Sequence, residues 1–168
     1  MTSILNEVQV MQNPALGAVL LWRFACGYCP ESTTTGVPLP LILIVLPLAF
    51  YARTLDEVIG TKSVSGLRKF EEKFRNQADV MMAVHPRMLA MRDLSMRSLQ
   101  IALRTGLLTL VPIEAVLWPR SYSAAPTEGK TVNNLMKAVE KLGIWCRELT
   151  LFEVAGILKR SEEHTSEL

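Results

Sequence analysis

Apolar residues recur every three or four positions along most of the chain, and polar residues fill the positions between them. This spacing places the apolar side chains on one face of a helix. The clearest examples are residues 14–25, 87–104 and 132–145. Asn13 is a favourable N-cap for the first segment, and Pro14 fits the first helical position. The pattern therefore predicts a mainly α-helical chain.

His85-Pro86 is expected to mark a helix boundary, and Gly106 is expected to cap the C-terminus of the helix that follows. Four apolar residues of that helix fall on one predicted buried face. They are Leu89, Met96, Leu99 and Leu103.

Two segments have the spacing of a capping box, in which Thr and a Glu three residues later satisfy each other's backbone N–H groups. These segments are Thr54–Glu57 and Thr150–Glu153. Each predicts the start of a helix. Between them, Leu67, Phe70 and Phe74 form a narrow apolar stripe at helical spacing.

Two short β-prone runs, "LLTLVP" and "IEAVLWP", meet after Pro112 and predict a hairpin. The resulting fold class is mainly α: a compact multi-helix domain with a buried, kinked central helix and a small β-hairpin. A winged-helix-like arrangement of the C-terminal half is a further hypothesis for these elements.

The predicted central helix lies in "GVPLPLILIVLPLAFYA", residues 36–52, which contains no charged residue. Pro38 and Pro40 suit the start of a helix, and Pro47 predicts a kink. After these first prolines, a helix up to Ala52 spans only about 18 Å, whereas the hydrocarbon core of a bilayer is about 30 Å thick. We therefore expect a buried helix, and a membrane span is the alternative.

The chain has 168 residues, of which 49% are hydrophobic and 20% charged, with a formal net charge of +2. This length suits one domain. The hydrophobic fraction is high for a small monomer, so we expect a partner protein to cover part of the surface. The N-terminal residues lack the basic region of a signal peptide, and we expect a cytoplasmic protein with no membrane partner.

The last nine residues, "RSEEHTSEL", back-translate in frame into a common sequencing-adapter sequence. We expect residues 160–168 to be an artefact and residues 1–159 to form the single domain. Without this tail, Lys+Arg falls from 18 to 17 and Asp+Glu from 16 to 13, so the net charge rises from +2 to +4.

Cys26 and Cys29 form a C-x-x-C pair, a spacing found in redox dithiols and in half of a zinc site. Only Cys146 and His85 remain as further zinc ligands outside the tail, and neither has paired spacing. A thioredoxin-like site would need a surrounding βαβ pattern, which is not predicted here. We expect two reduced thiols and no metal or cofactor site.

No common catalytic motif occurs in the sequence, and the carboxylates cluster on helix faces expected to be solvated. We therefore expect no catalytic residues and no enzyme. The main alternative function is nucleic-acid binding by a winged-helix-like module. Its candidate contacts are Arg87, Arg92, Arg97 and Arg104.

Four blocks occur in an order that resembles the middle component of bacterial three-component ABC ATPase systems. They are "NPALGAVLLWRFACGY", "GVPLPLILIVLPLAFYARTLDE", "IALRTGLLTL" and "VEKLGIWCRELTLFEVAGIL". The resemblance covers most of residues 13–159. The positions that carry it, as structural or interface residues, are Asn13, Pro14, Trp22, Phe24, Tyr28, Pro38, Pro40, Pro47, Gly106, Gly143 and Trp145.

This resemblance implies a non-enzymatic adaptor between an ABC or SMC-like ATPase subunit and a variable effector subunit. Such systems, including Lamassu-type complexes, are implicated in defence against phage and foreign DNA. Nucleic acid would then be reached through the complex. Cys26 and Cys29 are not part of the family pattern.

Overall fold

The computed structural model describes residues 13–122 and 129–163, with side chains described up to residue 159. The helices are α1 (Pro14–Tyr28), α2 (Val45–Ala49), α3 (Ala52–Gly60), α4 (Gly66–Glu72), α5 (Ala78–Met82), α6 (Val84–Ala90), α7 (Arg92–Arg104), α8 (Lys130–Arg147) and α9 (Leu151–Glu163). The strands are β1 (Val37–Pro38), β2 (Leu108–Val111) and β3 (Val116–Pro119), and 3-10 segments cover Leu39–Ile44 and Ser63–Ser65. The predicted mainly helical fold with a small β element is confirmed.

Helix α1 is the centre of the fold and packs against both α7 and α8. Its N-cap is the predicted Asn13, whose Oδ1 accepts hydrogen bonds from Ala15 N at 2.9 Å and Leu16 N at 3.4 Å. The helix continues to Tyr28, past the predicted end at Ala25. Because α1 is covered on more than one side, it is buried along most of its length.

The apolar segment 36–52 is buried and kinked, as predicted, but it is not one α-helix. Its first part is a 3-10 helix, and only α2 is α-helical. Pro47 is buried within α2. The axis then bends by 99° between Leu39–Ala49 and Ala52–Gly60.

Within the described ranges, no single helix combines the length and apolar composition needed to cross a bilayer. The bent pair Leu39–Ala49 and Ala52–Gly60 meets these criteria only when its two parts are joined.

The sheet is antiparallel with strand order β1-β3-β2. Strands β2 and β3 form the predicted hairpin, with Leu110 opposite Leu117. Val37 of β1 also pairs with Leu117, from the other side. The sheet therefore joins residues early in the chain to the hairpin and is not confined to the C-terminal half.

Gly106 ends α7 as predicted. Its φ is 77°, in the left-handed region that favours glycine. Gly106 N donates to Leu103 O at 3.3 Å, and Leu107 N donates to Ala102 O at 2.9 Å. This pair of bonds is a Schellman motif, which satisfies the last helical carbonyls and turns the chain into β2.

Only part of the apolar face predicted for the helix before Gly106 is buried: Leu99 is buried and Leu103 is partly buried against the core. Leu89 is 64% exposed and Met96 is 42% exposed. Besides Leu99, the buried residues of α7 are Ser95, Ser98 and Ala102. Small side chains face the core here because α1 lies very close: a Cβ added to Gly17 would lie 2.1 Å from Ser98 Oγ.

The boundary predicted at His85-Pro86 is displaced. Both residues lie in the first turn of α6, where proline is tolerated because its missing N–H has no helical partner. The breaks lie at Ala83 and at Met91, on either side of α6.

The two predicted capping boxes have different outcomes. Helix α3 begins before Thr54, whose buried hydroxyl donates to Leu48 O at 2.6 Å, so this prediction is wrong. At the start of α9, Glu153 N donates to Thr150 Oγ1 at 3.1 Å, and Thr150 N donates to Glu153 Oε2 at 2.7 Å. This second capping box is confirmed.

Candidate interaction surfaces

Most of the family-motif positions serve the fold. Trp22, Phe24, Tyr28, Pro47 and Trp145 are buried. Trp22 Nε1 donates to Ser121 O at 2.8 Å, and Trp145 Nε1 donates to Ser63 O at 2.9 Å. Each indole thus buries its rings and ties a helix to a distant backbone segment.

The remaining motif positions have structural roles at element boundaries or helix contacts. Asn13 and Pro14 start α1, and Gly106 ends α7. Pro38 occupies the edge strand β1, where a missing N–H is tolerated. Pro40 is the one exposed proline of the motif and lies in the first 3-10 segment.

Gly143 lies where α8 crosses α1. An added Cβ would be 2.2 Å from Phe24 O and 2.8 Å from Tyr28 N, so only glycine fits. Beside this contact, Arg23 and Glu140 form an ion pair at 2.7 Å between the two helices. Both side chains are partly exposed, so the pair contributes about 1 kcal/mol or less to stability.

The C-x-x-C thiols lie at the C-terminal end of α1 and are free. Burial is the main cause that raises the pKa of Cys26 to about 12 and that of Cys29 to about 11. The Sγ of Cys29 donates to Thr35 O at 3.4 Å. Both thiols are therefore protonated at neutral pH, and a thiol is a weak nucleophile and metal ligand. In the described ranges, no three His, Cys, Asp or Glu side chains come together in a group that could hold a metal.

One group of apolar side chains projects into solvent around the Ser63–Ser65 segment and the start of α9. Val64 is 93% exposed and Phe152 is 87% exposed. We call the set Ile59, Val64, Leu151 and Phe152 the apolar patch.

Two open grooves lie beside members of this patch. Val64 and Leu149 line an open groove of about 570 Å³, and Leu151 and Phe152 lie two and three residues after Leu149 in the chain. Ile59 lines a second groove of about 370 Å³. Ile144 belongs to both grooves, so the two grooves adjoin each other.

A different surface lies between α6 and α7, where an open groove of about 610 Å³ is lined by Phe50, Arg87, Met91, Asp93, Leu94 and Arg97, among others. We call it the α6–α7 groove. The guanidinium of Arg87 lies over the ring of Tyr51, with its central carbon 4.1 Å from the ring centroid. This cation–π contact holds one wall of the groove in place.

The structure brings only two of the four candidate nucleic-acid contacts together. Arg87 and Arg97 line the α6–α7 groove. Arg92 and Arg104 do not, and they lie about 18 Å apart along the axis of α7. None of the four forms an ion pair with another residue that the structure describes.

Sequence reasoning missed Lys141, which connects α8 to the end of α3. Its Nζ donates to Val58 O at 2.9 Å, Ile59 O at 3.1 Å and Thr61 O at 2.8 Å. Burial lowers the pKa of Lys141, and Lys73 nearby lowers it further. A lysine at helical spacing gave no signal of this role, because its partners are backbone carbonyls far away in sequence.

Fold and surfaces together define a small, mainly helical domain with a three-stranded antiparallel sheet and exposed apolar side chains beside its grooves. The chain belongs to the family of ABC-three component (ABC-3C) system Middle Component 3, whose family model matches residues 1–159. A search of curated proteins and a search of solved structures each gave no match.

Proposed function

We propose that the chain is a non-enzymatic adaptor in the cytoplasm of a bacterium. It bridges an ABC or SMC-like ATPase subunit and a variable effector subunit in a system that acts against phage or foreign DNA. Membership of the middle-component family supports a role within a multi-component assembly.

The apolar patch is the observation that carries this proposal. Side chains such as Val64 and Phe152 gain nothing from contact with water, and burying each in an interface stabilises a complex by about 1.5–3 kcal/mol. A cluster of exposed apolar side chains beside grooves is typical of a protein–protein interaction site.

Co-expression with the products of the two neighbouring genes tests the proposal. We expect the tagged chain to purify with both products, and Val64→Asp to weaken one of these associations at least tenfold. Ile113→Asp is the matched control, because Ile113 is 99% exposed but lies in the hairpin turn, outside the patch. A wild-type chain that is folded and purifies with neither product would contradict the adaptor role.

A nucleic-acid-binding module is the second candidate. The feature that favours it is α7, which carries exposed Arg92, Arg97 and Arg104 and leads directly into the β2–β3 hairpin. The strand order β1-β3-β2, with β1 after the first helix, suits a winged-helix-like arrangement. Its test is salt-sensitive binding of double-stranded DNA that falls when Arg92 and Arg97 are both changed to Ala.

A further inference from the structure

Arg87 has an unusual environment in the α6–α7 groove. Its Nε is buried and has no hydrogen-bond partner, and the chain supplies no carboxylate to its guanidinium in the ranges that the structure describes. Burial lowers the pKa of Arg87, although the side chain remains charged at neutral pH. A buried donor without an acceptor costs free energy, and an acceptor that enters the groove can pair with the part of the Arg87 side chain that lines it.

Arg97 adds a second positive charge to the same groove. It projects from α7, whereas Arg87 projects from α6. Arg97 is exposed and has no ion pair among the described residues. Two guanidinium groups on different walls can bind one carboxylate from two sides, with the bidentate geometry that arginine favours.

The rest of the groove selects the kind of anion. Phe50, Met91 and Leu94 supply apolar walls, and Asp93 adds a negative charge. A nucleic-acid backbone presents closely spaced phosphates, which gain nothing from apolar walls. A protein segment that carries both apolar and acidic side chains matches the groove better.

We propose that the α6–α7 groove is the docking site for an acidic, amphipathic segment of a partner protein, whose carboxylate pairs with Arg87 and Arg97. This inference rests on the adaptor function proposed above. The apolar side chains of the segment lie against Phe50, Met91 and Leu94. A helix laid in a groove is a common way to recognise such a segment. The groove then gives the chain a second contact surface, separate in its lining residues from the apolar patch.

The test uses the full chain co-expressed with the products of both neighbouring genes. Arg97→Glu reverses one charge of the groove, and Arg104→Glu makes the same change on the same helix outside the groove. We expect Arg97→Glu to weaken binding of one product at least tenfold at physiological salt and Arg104→Glu to leave it within about twofold. Changing one acidic residue of that product to Lys should restore its binding to the Arg97→Glu variant.

Circular dichroism melting confirms that each variant is folded before binding is compared. Binding of both products by folded Arg97→Glu at wild-type strength overturns the inference and leaves the adaptor function intact. Loss of double-stranded DNA binding, with both products retained, replaces the inference with a nucleic-acid surface. A wild-type chain that binds neither product overturns the adaptor function itself, and the inference with it.

Discussion

Gly143 of α8 lies directly against Gly27 of α1. A Cβ on Gly143 would stand 3.2 Å from the carbonyl carbon of Gly27, and a Cβ on Gly27 would stand 2.2 Å from Glu140 O. In both cases the obstacle is backbone, which cannot rotate away as a side chain can. The two glycines thus set how closely the helices approach.

Gly143→Ala should destabilise the protein by about 1–3 kcal/mol, because the new methyl group forces α1 and α8 apart. Gly156→Ala is the matched control, since no atom lies within 4 Å of the added Cβ in α9. The control should be neutral or stabilising by up to about 1 kcal/mol, because alanine favours a helix over glycine. Urea unfolding of both variants measures the difference, and equal midpoints would refute the close-packing account.

Thr150→Ala should destabilise α9 by about 0.5–2 kcal/mol, because it removes the hydroxyl that accepts from Glu153 N. Thr150→Ser keeps the hydroxyl and should retain most of the stability. Hydrogen exchange of the α9 amides reports the local effect. Faster exchange in both variants alike would show that the hydroxyl does not cap this helix.

The same cap predicts a response to acid. The backbone hydrogen bond from Thr150, then its side chain, lowers the pKa of the Glu153 carboxyl. A carboxyl with a lowered pKa in the folded state stabilises that state above its unfolded pKa, and the contribution disappears as pH falls through the folded value. In the wild type, the α9 amides should therefore exchange faster as the pH falls and the Glu153 carboxyl is protonated. Glu153→Gln has no carboxyl at this position, so its α9 exchange should depend less on pH. Identical acid profiles for wild type and variant would contradict this expectation.

Cys146 predicts a loss of stability at alkaline pH. Burial raises its pKa from 9.0 to about 12, so the folded state holds its proton after the unfolded state has lost it. The contribution is complete below pH 9.0 and declines as pH rises towards about 12. Between pH 8 and pH 10.5 this thiol alone should remove about 2 kcal/mol from the free energy of unfolding.

Cys146→Ala isolates this effect. The variant should be less stable at neutral pH, because it loses a buried sulfur atom, but its stability should fall less steeply above pH 9. Urea unfolding at pH 8 and pH 10.5 gives the two slopes. Equal slopes in wild type and variant would remove Cys146 as the cause.

The two thiols of the C-x-x-C pair should have low reactivity. Since burial raises the pKa values of Cys26 and Cys29 to about 12 and about 11, thiolate is scarce at pH 8. Both should react with a disulfide reagent at least about tenfold more slowly than a free cysteine. The unfolded chain is the control, and all three cysteines should react there at the ordinary rate. Fast reaction of Cys26 and Cys29 with the reagent in the folded protein would instead support a redox role for the pair.

Local signals in the sequence predicted the elements that depend on neighbours in the chain. Asn13 caps α1 because its acceptor atom and the donors lie within three residues of each other. Gly106 ends α7 because the backbone there adopts a left-handed conformation, which glycine favours whatever packs around it. The β2–β3 hairpin followed from β-prone runs on either side of a short turn.

Predictions failed where tertiary packing outweighs a local signal. Thr54 and Thr150 head the same T-x-x-E pattern, but the chain enters α3 from the buried α2, and the hydroxyl of Thr54 bonds to Leu48 O instead. On α7, Ser98 faces inward because Gly17 on α1 leaves room for it. Apolar periodicity alone gives no indication that small polar side chains are buried.

The α6–α7 groove also could not be predicted from local sequence signals. Arg87 and Arg97 were identified from sequence as basic residues, but their association with Phe50 depends on the bend after α2. Tyr51, which holds Arg87 in place, lies within that bend. No local spacing links these residues.

The central position of α1 has a consequence for synthesis of the protein. Arg23 meets Glu140, a residue 117 positions later, and the helix that carries Glu140 covers the buried face of α1. At about 5–20 residues per second, a ribosome needs roughly 6–23 s to make the intervening chain. During that interval α1 and the apolar segment that follows it lack their final cover. The nascent chain should therefore depend on chaperones more than its length suggests, and ribosome-bound intermediates ending before α8 should be the species that chaperones retain.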